Sequence, residues 1–188
     1  MLARLILTLL LATAGSAGAQ PVHVLDSAGK VVNPLVLMPG RIATVLVFTT
    51  TDCPISNRYA PEIQSLATRF AKQGIAFTLV YPVSTDTDAV VQEHVKRFSY
   101  AIPAVRDTAQ ELVKHTGVTV TPEVAVIGAG GQVLYRGRID DRYIDFGKDR
   151  PQPTERSLER ALEAVAQGEP VTVRETKAVG CFLPELIK

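Results

Sequence analysis

The sequence predicts an α/β protein with a central mixed sheet flanked by helices. Two continuous apolar runs, residues 43–48 and 75–81, are rich in β-branched residues and are typical of buried strands. Between them, from residue 54 to about residue 72, apolar side chains recur every three or four positions, which indicates a helical stretch with one apolar face. A strand, a helix and a strand in succession favour parallel pairing of the two strands.

The rest of the chain continues to alternate between strands and helices, without an internal repeat. The predicted elements are a hairpin over 23–32, a helix over 86–98, an extended segment over 101–105, a helix over 108–115, a strand over 123–127, its hairpin partner over 132–136 and a last helix starting at 154. Residues 142–153 are polar and predict a loop. Residues 171–188 form a tail without a predicted element.

The N-terminus has the pattern of an export signal. Arg4 precedes an apolar run over residues 5–14, and small residues follow at 17–19. The run is too short to span a bilayer, so we expect residues 1–19 to be a cleaved signal peptide. Residues 20–188 are then one domain with a C-terminal tail, located in the periplasm or secreted. The alternative is an uncleaved signal segment, which would be the only expected contact with a membrane.

Charge and histidine spacing exclude several classes of function. Lys and Arg number 20 and Asp and Glu 19, and no basic cluster occurs, so the sequence does not predict nucleic-acid binding. His23, His94 and His115 lack the spacing of metal ligands. We therefore expect no metal and no cofactor. His94 and His115 fall within predicted helices and are interpreted as surface residues or as residues with satisfied hydrogen bonds.

The chain has two cysteines, Cys53 and Cys181, which are 181 − 53 = 128 positions apart. In an oxidising compartment they could form a single structural disulfide. Cys53 also lies between a predicted buried strand and a predicted helix, where free amide groups and the helix dipole lower the pKa of a thiol. Pro54 suits the first helical position. This placement favours a reactive thiol at Cys53.

Three segments resemble proteins of the thioredoxin fold. The run from Val45 to Ser56, with Cys53 near its end, is similar to their active-site segment, and Pro61 matches their helix-kinking proline. Thr121-Pro122 resembles their cis-proline loop. The tail that ends in Cys181 is similar to that of a peroxiredoxin-like subfamily. The resemblance implies a thioredoxin-like fold in which the cis-proline faces Cys53.

The resemblance also implies a groove for an extended partner chain, formed by Pro54, Ser56, Thr121 and Pro122. Several positions depart from the family patterns. Ser56 replaces the second cysteine of a thioredoxin, and Val47 replaces its buried aspartate. The negative charge of Asp52, directly before Cys53, would oppose ionisation of the thiol.

The peroxiredoxin pattern is also incomplete. Thr50 stands three residues before Cys53, but Leu46 occupies the position of the proline, and the expected arginine is absent. Residues 136–142 contain three arginines and two aspartates. They predict either a solvated hairpin end or a rim that orients a partner or a peroxide.

These observations predict an exported thiol–disulfide oxidoreductase-like redoxin with Cys53 as nucleophile. Cys181 or an external thiol would resolve the oxidised form, and the partner would be a thiol or disulfide protein. One alternative is a thiol peroxidase, with Cys53 peroxidatic and a peroxide as substrate. Another is a non-catalytic interaction domain with a structural disulfide.

Overall fold

The computed structural model describes residues 22–184, which form eleven strands and five helices. The strands are β1 (Val24–Asp26), β2 (Val31–Val32), β3 (Ala43–Phe48), β4 (Ile75–Tyr81), β5 (Ala104–Arg106), β6 (Val120–Thr121), β7 (Glu123–Gly128), β8 (Val133–Gly137), β9 (Tyr143–Asp145), β10 (Lys148–Asp149) and β11 (Cys181–Phe182). The helices are α1 (Pro54–Arg58), α2 (Ala60–Ala71), α3 (Asp88–Arg97), α4 (Glu111–Thr116) and α5 (Ser157–Gln167). The predicted signal peptide, residues 1–19, lies outside this range. Every helix within the range is too short or too polar to cross a bilayer.

Strand β3 lies inside a seven-stranded sheet with the order β2-β1-β5-β4-β3-β7-β8. It pairs parallel with β4 and antiparallel with β7, and all its residues are buried. Val45 and Val47 belong to an apolar layer shared with α2, α3 and α5, whereas Leu46 and Phe48 belong to a second layer on the opposite face. Because successive side chains of a strand alternate between faces, a strand covered on both faces is apolar throughout. The predicted mixed sheet flanked by helices is confirmed.

The stretch predicted to be helical over residues 54–72 is helical but broken, since two helices, α1 and α2, meet at Tyr59 close to the predicted helix-kinking proline. Pro61 has no N–H to donate to the carbonyl of Asn57, and its ring crowds that carbonyl. The backbone instead makes a tighter turn, in which the Tyr59 N–H donates to Ser56 O at 3.0 Å. The break keeps α1 short and separate at the end of the sheet where Cys53 lies.

Helix α4 begins three residues later than the predicted start at residue 108. Gln110 has a φ of 52°, a left-handed conformation that a helix cannot include. The buried carboxylate of Asp107 accepts the Glu111 N–H at 2.7 Å, which satisfies one of the free amides of the first turn. The helix ends at Gly117, as predicted, with a φ of 73°.

The segment predicted as a polar loop, residues 142–153, contains the small hairpin of β9 and β10. Helix α5 follows at Ser157, not at the predicted Thr154. The buried carboxylate of Asp141 accepts the N–H groups of Thr154 and Glu155, at 2.7 and 2.8 Å, and so holds this segment outside the helix. Residues 136–142 predict either a solvated hairpin end or a rim, and the burial of Asp140 and Asp141 shows that this segment is not wholly solvated.

The C-terminal tail is part of the fold, although its sequence predicts no element. It first runs beside β8, where Arg136 N–H donates to Arg174 O at 2.9 Å and Thr176 N–H donates to Arg136 O at 3.1 Å. It then pairs through β11 with β6, so that Cys181 lies opposite Thr121. The tail thus brings Cys181 to the end of the sheet that carries Cys53.

We predict that Phe70→Ala destabilises the protein by about 3–5 kcal/mol, because Phe70 is 1% exposed and its removal leaves a cavity between α2 and the sheet. Phe146→Ala is the matched control, since Phe146 is 57% exposed, and it should change stability by no more than about 0.5 kcal/mol. Urea unfolding measures both values. Equal losses in the two variants would contradict this assignment of the core.

Candidate active site

Cys53 is placed by the end of β3 and the start of α1. It is the N-cap residue of α1, with extended backbone angles of φ −75° and ψ 112°. Its carbonyl accepts the Asn57 N–H at 3.0 Å. The side chain is only 1% exposed, and its Sγ donates a hydrogen bond to Thr121 O at 3.1 Å. The thiol therefore lies inside the molecule, against the strand that carries Thr121.

The loop opposite Cys53 contains Thr121 and Pro122. The peptide bond between these two residues is cis. Thr121 is fully buried, and its hydroxyl lies 3.4 Å from that of Thr50, which follows β3. Through the carbonyl of Thr121, this loop contacts the thiol directly.

Cys181 reaches the same place from the tail. Its Sγ lies 2.7 Å from the Sγ of Cys53, and both cysteines are free in this structure. A disulfide bond is about 2.05 Å long, so only a small movement separates this contact from a covalent bond. The structure thus brings together the two cysteines that are 128 positions apart in the sequence.

The pKa values of the two thiols shift in opposite directions from their usual value. Burial raises the pKa of Cys53, but hydrogen bonds from Cys181 and Ser56 to the thiolate outweigh burial and lower this pKa below its usual value. Burial, the hydrogen bond to Cys53 and the charge of Cys53 raise the pKa of Cys181 to about 12. Cys53 is therefore the first of the pair to ionise, and Cys181 stays protonated as a donor to it.

Ser56 stabilises the Cys53 thiolate through hydrogen bonds. It is 1% exposed, and among the described residues its hydroxyl has no partner while the Cys53 thiol points towards Thr121. When Cys53 ionises, the Ser56 hydroxyl and backbone N–H act as donors to the sulfur. Ser56 thus occupies the place of a second cysteine but has a different task.

Pro54 and Asp52 form the exposed border of the site. Pro54 is the first residue of α1, where its missing N–H costs no helical hydrogen bond. The sequence predicts that Asp52 opposes ionisation of Cys53. In the structure the charge of Asp52 instead raises the pKa of Cys181, and burial is what opposes ionisation of Cys53.

Sequence reasoning missed a buried cluster that ties α1 to α3. His94 is 5% exposed; its Nδ1 accepts from the Tyr81 hydroxyl at 2.8 Å, and its Nε2 donates to Asn57 Oδ1 at 2.7 Å. Burial and the nearby Arg97 lower the pKa of His94, so the ring is neutral. His94 is thus buried with both nitrogens satisfied. No residue spacing in the sequence indicates the contact with Asn57.

Two of the three arginines in residues 136–142 form ion pairs away from Cys53. Arg136 pairs with Glu175, and Arg138 pairs with Glu155. Within residues 22–184, none of these arginines hydrogen-bonds to Cys53, and no cluster of three or more His, Cys, Asp or Glu side chains could hold a metal ion. The two groups in contact at the site are the thiols of Cys53 and Cys181.

A cysteine between a buried strand and a short, proline-broken helix, facing a cis-proline loop, defines the site of a thioredoxin-fold protein. A family model described as Redoxin matches residues 14–147. The chain belongs to the Redoxin family. No curated protein matches the sequence at a significant level.

Solved structures with the same fold include an uncharacterized conserved protein from Geobacillus kaustophilus, at 23% identity and a TM-score of 0.73, with 88% of each chain covered. A hypothetical protein from Sinorhizobium meliloti is similar at 24% identity and a TM-score of 0.70, covering 88% of this chain and 92% of that one. A secreted disulfide oxidoreductase from Mycobacterium tuberculosis aligns at 15% identity and a TM-score of 0.52, covering 83% of this chain and 99% of that one. These likenesses establish the fold.

We predict that Ser56→Ala raises the pKa of the Cys53 thiol, because the thiolate loses a buried hydrogen-bond donor. The pH dependence of thiolate ultraviolet absorbance in the reduced protein measures this pKa. Ser65→Ala removes an exposed hydroxyl from α2 and should leave the titration unchanged. An unchanged titration in Ser56→Ala would contradict the role given to Ser56.

Proposed function

We propose that the protein is an exported thiol–disulfide oxidoreductase in which Cys53 is the attacking thiolate and Cys181 resolves the mixed disulfide. The observation that carries the proposal is the 2.7 Å contact between two sulfurs whose pKa values move in opposite directions. Strongly perturbed acidities at one buried place are a mark of functional sites. The partner is a thiol or disulfide protein.

In the first step, the Cys53 thiolate attacks one sulfur of a partner disulfide. A bond forms between Cys53 and that sulfur, the partner's own S–S bond breaks, and the electron pair leaves on the other partner sulfur, which takes a proton from water. Because the pKa of Cys53 is lowered from its usual value, a larger share of this cysteine is the thiolate that the step needs. In this proposal the partner chain lies against Pro54, which is exposed, and against Ser56, Thr121 and Pro122, which are buried while the tail is closed.

In the second step, Cys181 attacks Cys53. The Cys53–Cys181 bond forms, the mixed disulfide breaks, and the partner leaves as a dithiol. Cys181 loses its proton more readily at this stage, because a disulfide-bonded Cys53 no longer carries the negative charge that raises the pKa of Cys181. The same steps in reverse transfer a disulfide from the protein to a partner dithiol.

The proposal includes export of the protein. Residues 1–19 act as the signal peptide, and residues 20–188 form the redoxin domain in the periplasm or outside the cell, where a protein disulfide persists. The secreted disulfide oxidoreductase of Mycobacterium tuberculosis, which has the same fold, supports this compartment and this type of partner.

We predict that Cys53→Ser abolishes reduction of a disulfide-bonded peptide, because a hydroxyl is not ionised at neutral pH. Cys181→Ser should retain the first step only, so that the Cys53 mixed disulfide with the peptide accumulates. Turnover and the mass of the trapped adduct on non-reducing analysis distinguish the variants. Undiminished turnover in Cys53→Ser would leave Cys53 structural, and Cys53-dependent consumption of peroxide in place of the disulfide would indicate a peroxidase.

We further predict that the Cys53–Cys181 disulfide is reversible, with a reduction potential above the roughly −300 mV of structural disulfides. A stable thiolate at Cys53 favours the reduced form and so raises the potential. Equilibration with glutathione or dithiothreitol, followed by alkylation and mass measurement, gives this potential. A value below that limit would support an interaction domain with a structural disulfide.

A further inference from the structure

The end of the tail covers Cys53. Strand β11 places Cys181 opposite Thr121, and Leu183 N–H donates to Thr119 O at 3.2 Å. A partner sulfur must come within bonding distance of Cys53 Sγ, yet Cys181 Sγ already lies 2.7 Å from it and Cys53 is 1% exposed. While the tail is paired with β6, no partner protein reaches the thiol.

Gly180 is what allows the tail to approach so closely. It is buried, and a Cβ atom added to it would lie 2.2 Å from Thr121 O and 2.6 Å from Thr121 C. Contacts below 3.0 Å essentially never occur for a real Cβ, and here the obstacle is backbone. Any side chain at this position would therefore push the tail away from the cis-proline loop.

The tail is attached independently at a second place, formed by residues 174–176 on the edge of β8. Arg138 N–H donates to Thr176 Oγ1 at 3.1 Å, Thr176 Oγ1 donates to the Tyr135 hydroxyl at 2.6 Å, and that hydroxyl donates to Arg138 O at 2.6 Å. These bonds form a closed ring around Thr176. The approach to β8 is again close, because a Cβ on Gly137 would lie 2.3 Å from Thr176 O.

Between the two attachments, residues 177–180 form no backbone hydrogen bond with the rest of the described chain. The distal attachment has a β-pairing of two residues on each strand and a hydrogen bond from Gln110 Nε2 to Pro184 O at 2.9 Å. Leu183 packs against the core, whereas the Phe182 side chain is 79% exposed. Local opening follows segments with few buried apolar contacts and few hydrogen bonds. Residues 181–184 follow this segment without backbone hydrogen bonds, so they can lift from β6 without breaking the attachment at residues 174–176.

We propose that Gly180 is a positioning residue that lets residues 181–184 close over Cys53, and that these residues lift from β6 together while residues 174–176 stay attached to β8. This inference rests on the proposed function, since it describes access to the same thiol. Opening exposes Cys53 to the partner. The attachment at Thr176, five residues before Cys181, keeps the resolving sulfur close enough to return.

Alkylation of Cys53 by iodoacetamide in the reduced, full-length protein tests the proposal, with mass analysis to separate Cys53 from Cys181. Gly180→Ala should raise the Cys53 alkylation rate by about tenfold or more, because a buried thiol reacts only through local opening. Gly29→Ala is the control. It adds the same methyl group at a turn with φ +74° and open space around it, so it strains the backbone without touching the tail.

Urea unfolding of each variant separates a local change from a global one. The proposal predicts that Gly180→Ala changes the alkylation rate more than its change in global stability accounts for, and that Gly29→Ala does not. Leu183→Pro provides a second variant, because it removes the N–H donated to Thr119 O, and it should also raise the Cys53 rate. Wild-type alkylation rates in both tail variants, with the fold intact, would overturn the proposal.

The alkylation assay tests the role of Gly180, and the turnover assay tests the proposed function, so the two can fail separately. If Cys53→Ser retains turnover while Gly180→Ala still exposes Cys53, the proposed function fails and the positioning role of Gly180 stands. If Cys53→Ser loses turnover while Gly180→Ala leaves Cys53 as protected as before, the inference fails and the proposed function stands.

Discussion

The burial of β3 on both faces and both edges is the constraint on which the site depends. Each residue of β3 pairs with β4 on one side and β7 on the other, and apolar layers cover its two faces. A strand held in this way cannot slip by one residue, because every side chain would then face the wrong layer. The position of Cys53, five residues beyond Phe48, is set by this register. Strand β7, which follows Pro122, sets the position of Thr121 by the same pairing.

The chemistry of the site follows from placing two thiols in one poorly solvated space. Burial alone would raise the pKa of both. The pKa of Cys53 is nevertheless lowered, because Cys181 and Ser56 donate hydrogen bonds to its sulfur. The pKa of Cys181 rises further, because the neighbouring Cys53 becomes charged. In the proposed reaction, the contact between the two sulfurs thus provides both the nucleophile and a protonated partner. It also sets the order of the proposed steps, since the charge that raises the pKa of Cys181 is lost only when Cys53 has formed the mixed disulfide.

The sequence predicted the parts of the fold that repeat a pattern over several residues. The bounds of β3 and β4 match the two apolar runs at 43–48 and 75–81, because long buried strands carry a continuous signal. The starts of α4 and α5 were misplaced because single carboxylates, Asp107 and Asp141, decide them from outside the helices. A contact made by one side chain leaves no periodicity in the sequence.

The sequence likewise predicts some residues of the candidate site and not others. The position of Cys53 between a strand and a helix is visible in the sequence, and so is the Thr121-Pro122 pair. The location of Cys181 is not, because β11 has two residues and its pairing with β6 depends on a path through the whole tail. Gly180 carried no visible signal either. Gly180 matters because a Cβ added to it would lie 2.2 Å from Thr121 O, and only the folded structure brings these two positions together.

The way in which the tail is attached bears on whether the two cysteines form a structural bridge or a reactive pair. In the loop-entropy account, a permanent disulfide across this span would stabilise the fold by about 4–5 kcal/mol, and a bridge with that role needs no acidic thiol. The structure instead lowers the pKa of Cys53, buries Ser56 as a donor beneath it, and holds Cys181 by a two-residue pairing beyond a segment without backbone hydrogen bonds. The attachment at Thr176 is separate from that of residues 181–184, which suits a sulfur that has to leave and return. This combination supports the proposed reactive pair over a structural bridge.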